Sequence, residues 1–484
     1  MVDFKEIPNG YKVPGVYQEV DNSLANIGLT GKESVGLIIG QKLSTGTGEF
    51  NTCYLAENIN RVAELAGVGS DVHRMAEKFE KNNKYNAFKV IFVEQTEGVA
   101  ATYTIEATAT DVQNGSADLL LAGTLIQSVV YKGQTASEIL EALVDAINEE
   151  TMIPVTAALV EGKIVLTAKH KGLAGNNVDI QFNYYNNQKT PKGLTFTVAQ
   201  TVEGVGNASI ADVLAALTPE YFTDGVTSYT DEPNLLKLRS FLNDRFGAMV
   251  QNEGNFHICI NGTHSELLTL AATLNCPHIN LIENYKTPNM PEERAARVAG
   301  IVAFKSQQDP ARQYRTAVLV GDLPSKTPFD DKERNLLLKG GVSTVVTNAS
   351  GNVAIERVVT TYRKNTLGVY DESYFDLTII KTIIYLRWSY VNWFLTKYPD
   401  YKLAKNGHPI GVGQAIVTPD VIESEAISWA NMMLKAGLIE DIEGFVEAIH
   451  TEINASDPDR VDQIIRPDII NNFMILASKM QFKR

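Results

Sequence analysis

Residues 255–283 read NFHICINGTHSELLTLAATLNCPHINLIE. The first six are a short apolar run, the pattern of a buried strand. Residues 265–274 space their apolar side chains as a helix does, and residues 278–283 are a second apolar run. Strand, helix, strand is the unit of an α/β layer. The alternation continues outward. Residues 291–303 predict a helix with Pro291 in its first turn, and residues 316–320, TAVLV, a further strand. Residues 210–217 and 235–247 read as helices. SVGLIIG (34–40) and AFKVIFV (87–93) read as buried strands on either side of a helix over 58–81. The expectation is a largely parallel sheet with helices on both faces.

Between these two groups the composition changes. Residues 101–201 are rich in Thr, Ala, Val and Gly. Tyr103-Thr-Ile-Glu-Ala-Thr alternates like a half-exposed strand, and Lys163-Ile-Val-Leu-Thr-Ala reads as another. Thr135 and Glu138 have the spacing of a capping box, which satisfies the first free amides of a helix. That helix offers Ile139, Leu140, Leu143, Val144 and Ile147 to a core. This is a small α+β module inserted into the α/β domain.

Toward the C-terminus, residues 343–347 and 353–361 read as strands around an Asn348-Ala-Ser-Gly351 turn. A helix over 374–395 places Leu377, Ile380, Ile384, Trp388 and Val391 on one stripe, with Lys381 and Arg387 off it and able to meet an acidic partner. Residues 423–436 form a second helix. The ends differ from all of this. Pro8, Gly10, Pro14 and Gly15 preclude a stable helix and favour an extended arm. In residues 472–482, Met474, Leu476, Met480 and Phe482 share a face only if the chain is extended. The chain thus reads as an α/β and α+β multidomain protein. Residues 1–20 are an N-terminal arm, 21–98 and 203–329 the α/β domain, 99–202 the inserted α+β module, 330–470 a C-terminal α+β domain and 471–484 a C-terminal strand arm.

Bulk properties exclude several function classes. The chain has 484 residues, too many for one ordinary core, and 21% charged residues. Its formal net charge of -14 argues against a generic nucleic-acid or anionic-membrane binder. Cys53, Cys259 and Cys276 show neither CxxC spacing nor disulfide-scaffold density, as expected in a reducing compartment. The longest apolar stretch, 374–395, is interrupted by Asp376, Lys381 and Arg387, so no membrane span is expected.

Candidate chemistry is thin. Gly28-Leu-Thr-Gly31-Lys32-Glu33-Ser34 lacks the first glycine of a phosphate loop, since Asn26 stands there, and Glu33 replaces its hydroxyl. Gly204-Val-Gly206 lacks the third glycine of a dinucleotide fingerprint and reads as the junction where the inserted module ends. His257, Cys259, His264, Cys276 and His278 cluster in sequence, and His257 and Cys259 would share a strand face. Their spacing matches no closed zinc pattern, and small buried cysteines are common in core strands. No serine sits in a GxSxG elbow. Glu292/Glu293, Asp330/Asp331 and Glu440/Asp441 look like exposed helix starts or turns. The expectation is no catalytic, cofactor or metal site. A hydrolase with an unrecognised Ser/His/Asp set stays open as the alternative.

Several stretches carry a family resemblance. They are LLLKGGVSTVVTNASGNVAIERVVTTYRKN (336–365), SYFDLTIIKTIIYLRWSYVNWF (373–394), YPDYKLAKNG (398–407) and QAIVTPDVI (414–422). With VPGVYQEVDNS (13–23), LTAKHKGLAGNNVDI (166–180) and DRVDQIIRPDIINNFMILASKMQF (459–482), the chain resembles contractile tail sheath proteins of the Mu-like phage type. The resemblance implies a subtilisin-like α/β sheath domain used without proteolysis. It implies hexameric rings stacked around a tail tube protein, with baseplate and tail terminator proteins as further partners. Contraction then drives the tube through a cell envelope, without nucleic-acid binding or membrane insertion. It places the protein in the virion tail, assembled in the host bacterial cytoplasm, or in a phage-derived bacteriocin or other contractile injection system. It implies that both terminal arms add strands to neighbouring subunits, through Val13, Pro14, Gly15, Val16 and Tyr17 at one end and Met474, Leu476, Met480 and Phe482 at the other. The receiving sheet is expected to include residues 353–361. The tube is expected near Lys397, Lys402 and Lys405 or along 429–435, and the inserted module is expected to face outward.

Overall fold

The structure is a computed structural model that describes residues 31–411 and 413–483. The chain divides into two compact units that part between Tyr385 and Leu386.

The first unit is built on an eight-stranded sheet. Its order is Val353–Arg357, Val342–Thr347, Ile279–Glu283, Asn255–Ile260, Asp224–Thr227, Gly36–Gly40, Phe88–Phe92 and Tyr54–Ala56. The six inner strands run parallel and the two edge strands are antiparallel. Inner strands of such a sheet are covered on both faces, which is why they read as continuous apolar runs. One face packs Ile38, Val90, Val226 and Ile282 against Met75, Phe79, Ala295 and Val302, from helices Asp71–Asn82 and Pro291–Gln308. The other packs Leu37, Ile39, Ile258 and Leu281 against Leu235, Leu238, Leu267 and Ala271, from helices Glu232–Phe246 and His264–Leu274. Gly36 permits the closest approach on the first face, since a Cβ there would lie 2.6 Å from the Phe79 ring.

Three local expectations differ from the structure. The helix expected over 58–81 is two helices, Ile59–Ala66 and Asp71–Asn82, because Gly67 and Gly69 adopt φ of 83° and 78°. The strand expected at 316–320 is not regular, because Thr316 adopts φ 65°. What remains is a short seam: Thr316 N donates to Ile355 O, Ile355 N to Ala317 O and Leu319 N to Val353 O. Strands Val342–Thr347 and Val353–Arg357, grouped by sequence with the C-terminal region, are hydrogen-bonded into the eight-stranded sheet.

The inserted module holds a four-stranded antiparallel sheet (Leu194–Val202, Thr102–Ala109, Lys163–Ala168, Val155–Val160) and a three-stranded one (Thr124–Val130, Gly115–Leu121, Ile180–Phe182). Helix Ala136–Glu149 starts with the Thr135/Glu138 capping box and buries Ile139, Leu140, Leu143 and Ile147. The chain enters and leaves this module side by side, joined by an antiparallel bridge between Val99 and Val205.

The second unit contains the end of helix Leu377–Lys397, helices Pro419–Lys435 and Ile442–Ala448, and three two-stranded sheets. Trp429 is its centre. The indole Nε1 donates to Ser389 Oγ at 2.7 Å, and the ring meets Tyr390 edge-on at 4.9 Å.

Candidate functional site

A polar chain crosses the middle of the large sheet. Ser343 donates to the Asn280 carbonyl, and Asn280 Nδ2 donates to His257 Nδ1 at 3.0 Å. His257 Nε2 donates to Asp224 Oδ1 at 2.9 Å, and Lys381 Nζ reaches the same oxygen at 2.8 Å. The four side chains stand on adjacent strands, and Lys381 comes from helix Leu377–Lys397. All five residues are buried. Burial alone would push Asp224 up, but Lys381 and His257 outweigh it and hold the carboxyl at about 2. Burial also pushes His257 down, against the pull of Asp224.

This chain contains serine, histidine and aspartate, yet it is not a triad. Catalysis requires the histidine on the nucleophile, and here Asn280 stands between them. The Ser343 hydroxyl also accepts from Val359 N at 2.9 Å. No substrate reaches groups buried to this degree. The arrangement is a structural ladder pinned at one end by a salt bridge. Lys381, expected off the apolar stripe, is instead buried with it, and Asp224 is its acidic partner.

The sequence cluster suggestive of a metal comes apart. His257 is in the ladder, and Cys259 Sγ faces Glu283 O at 3.7 Å. Cys276 Sγ faces Asn243 at 3.7 Å, His264 Nε2 bonds Glu333 O at 3.1 Å, and His278 packs on Phe246. Among the described residues no group of three His, Cys, Asp or Glu could hold a metal. Burial pushes the Cys53 thiol to about 11 and the Cys276 thiol to about 12, and it raises Cys259 as well. None of the three is an activated nucleophile.

In open α/β sheets ligands bind beyond the carboxyl ends of the strands, where the strand order reverses. Here that point lies between Gly36–Gly40 and Asp224–Thr227, and the inserted module borders it. Gln41 Nε2, just past the first strand, donates to Lys171 O at 2.8 Å, and Tyr229 OH donates to Gln95 Oε1 at 3.2 Å.

Glu292 and Glu293 are not an exposed helix start. Both are buried against Arg74, whose guanidinium also holds Asp71 at 2.9 Å. Burial, then the neighbouring Asp71, hold the Glu292 carboxyl well above the usual range, opposed by Arg74. Asp330 instead caps its helix in a capping box with Glu333.

The second unit carries the remaining sequence candidates. Lys397 is committed internally: its ammonium lies 2.7 Å from Glu425 and 3.7 Å from the Trp393 ring centroid. Glu425 also accepts from Trp393 Nε1 and Tyr398 OH. Lys402 and Lys405 are exposed, in and just after the short strand Lys402–Leu403. Strands His450–Ile453 and Val461–Ile464 form a two-stranded sheet, and among the described residues no third strand joins it. The last paired segment is Asp468–Ile469, against Ile439–Glu440. Residues 470–483 then form neither helix nor strand. Phe473, Leu476, Met480 and Phe482 are 80%, 76%, 92% and 87% exposed, and Met474 is half-buried. The N-terminal candidates Val13, Pro14, Gly15, Val16 and Tyr17 lie outside the described residues, as does the start of the glycine stretch at 28–34. The strand Val353–Arg357, expected as a receiver of arms, already has its outer edge bonded by residues 316–319.

Comparison with known proteins gives a consistent result. Residues 203–361 match the family model described as the phage tail sheath protein central domain. The chain is 32% identical over 483 residues to the Mu-like prophage FluMu tail sheath protein of Haemophilus influenzae, covering 99% of each chain. The crystal structure of a sheath tail protein from Listeria innocua is similar in fold, with TM-score 0.51 and 11% identity over 92% of this chain and 94% of that one. So is the contracted helical sheath of the anti-feeding prophage, with TM-score 0.51 and 8% identity over 97% and 99%.

Proposed function

The chain belongs to the phage tail sheath family, and from that membership we infer how its parts work as a contractile sheath subunit. It is a structural protein and not an enzyme. We take copies of it to stack as hexameric rings around a tail tube, bounded by baseplate and terminator proteins. The α/β domain is read as the subtilisin-like body of the family, used as scaffold. The inserted module is read as outward-facing. The assembled tail is the site of action, after assembly in a bacterial cytoplasm.

The observation that carries the mechanism is the exposed C-terminal tail. Phe473, Ile475, Leu476, Met480 and Phe482 are all more than three-quarters exposed. Such a run finds its burial in a partner. A two-stranded sheet is marginal alone, and its open edges are templates for another chain. The hairpin of His450–Ile453 and Val461–Ile464 therefore fits as the receiver, and the tails, with the arms over residues 1–20, as the added strands. Main-chain hydrogen bonds supply strength and the extended arm supplies travel, so subunits move as bodies without losing their neighbours. For the tube, exposed Lys402 and Lys405 are better placed than Lys397, whose charge Glu425 already holds.

Negative-stain microscopy of the purified chain tests this. Rings or long tubes are expected. A monodisperse monomer across salt, pH and concentration would sink the reading.

A further inference from the structure

The inserted module meets the sheet domain at Lys169-His170-Lys171. His170 Nε2 accepts from Asp71 N at 3.0 Å, and Lys171 Nζ donates to Thr96 O at 2.8 Å. Lys169 Nζ holds Thr151 O at 2.8 Å. That carbonyl abuts Gly69 so closely that a Cβ there would lie 2.0 Å from it. The facing loop, Gly67 to Asp71, is closed by a second imidazole: Gly69 N donates to His73 Nδ1 at 3.1 Å. A backbone amide can only donate, so both ring nitrogens must be free of protons. Both histidines are buried, at 8% and 7% exposure.

We propose that His170 and His73 form an acid-sensitive latch, which seats the inserted module on the sheet domain while neutral and releases it on protonation. A proton on His170 Nε2 turns an acceptor into a donor facing the Asp71 amide, and the same holds for His73 Nδ1 and Gly69. The surroundings do not rescue the charge. Asp71 Oδ1 is 3.8 Å from His170 Nε2 but is already paired with Arg74. Arg74 itself and Lys169 oppose a further cation, Lys171 is bonded to Thr96 O, and Lys78 and Arg297 reach Glu293 in the same group. Glu292 and Glu293 are committed to Arg74, and Glu77 bonds Lys78 and Lys81. Glu150 and Tyr229 complete the ring of titratable groups. Burial pushes both imidazoles down, aided by Arg74 and opposed by Asp71 at His170 and by Glu77 at His73. A cleft of about 760 Å³, lined in part by Gly67, Val68, Glu150, Thr151 and Lys169, opens beside the latch.

The sign follows from linkage. A histidine whose folded pKa lies below its open-state value leaves the closed state intact above the open-state pKa, here 6.5, and weakens it as pH falls below that. Hydrogen exchange of the full chain, read by mass spectrometry and corrected for intrinsic rate, measures this. Peptides spanning 67–75 and 169–172 should lose about tenfold in protection per titrating histidine between pH 7.5 and 5.5. His170→Gln and His73→Asn place a non-titrating oxygen near each acceptor position and should flatten the profile. Exchange at the histidine C2 carbon of the unmodified chain needs no variant, and should place both pKa values below 6.5. Protection independent of pH, an unchanged profile in the double variant, or either C2 titration above 6.5 would each overturn the latch.

Discussion

Lys381 Nζ lies 2.8 Å from Asp224 Oδ1, and neither side chain exposes more than 7% of its surface. Breaking one partner of a buried pair strands the other charge, which typically costs about 3–5 kcal/mol. Lys381→Met should lose that much in urea denaturation, and adding Asp224→Asn should recover part of it. Asp224 is held at about 2, below its ordinary 3.8. Its contribution is therefore present above pH 3.8 and lost as pH falls toward 2.

Glu292 behaves in the opposite sense. Its carboxyl is raised by burial and by Asp71. Between the ordinary carboxylate value of 4.5 and the raised one, the unfolded chain releases a proton that the folded chain keeps, so stability falls as pH rises. Glu292→Gln should match or exceed the parent by about 1 kcal/mol at pH 7.5. The advantage should vanish by pH 4.5, with thermal melts at both pH values as the check.

Glu425 ties Lys397, Tyr398 and Trp393 to helix Pro419–Lys435. Burial would raise its pKa, but the Lys397 and Tyr398 hydrogen bonds prevail and lower it. Its stabilisation is present above the ordinary carboxylate value and fades as pH falls through the lowered one. Lys397 is exposed and Glu425 is half-buried, with side chains 39% and 21% exposed, so solvent screens the pair and Glu425→Gln should cost no more than about 1 kcal/mol. Tryptophan fluorescence near Trp393 should register the change first.

Removing residues 471–484 should leave the thermal transition of the subunit intact and abolish tubes. Ile464→Asp, on the open hairpin and 54% exposed, should do the same. Deleting residues 1–20 is the matching test at the other end. Normal tubes from these variants, seen by microscopy, would rule out strand exchange through these segments.

The sheet was legible because its strands are buried on both faces. Residues 36–40, 88–92, 255–260 and 279–283 carry their signal in mostly apolar side chains, broken only by Lys89, Asn255, His257, Asn280 and Glu283. The capping box at Thr135 was equally local. What escaped depends on distance along the chain. Glu292 and Glu293 look like solvent-facing charges until Arg74, 218 and 219 residues earlier, folds onto them. Lys381 looked peripheral because Asp224 is 157 residues away. The break at Gly67 and Gly69 was hidden by helical spacing on both sides, since Gly67 is packed against Thr45 and Gly69 against Thr151, both distant in sequence. The seam at 316–319 reads as a strand from its apolar residues, and only the left-handed Thr316 interrupts it.

The bridge between Val99 and Val205 gives the inserted module a single doorway. Strands Gly36–Gly40 and Phe88–Phe92 come before that doorway, and the other inner strands after it. Acquiring, exchanging or shedding the module is then one genetic event that leaves the order of the host sheet untouched. Lineages sharing this scaffold can differ at that position alone, and a foreign domain with close-set ends can be grafted there without redesigning the machine beneath it.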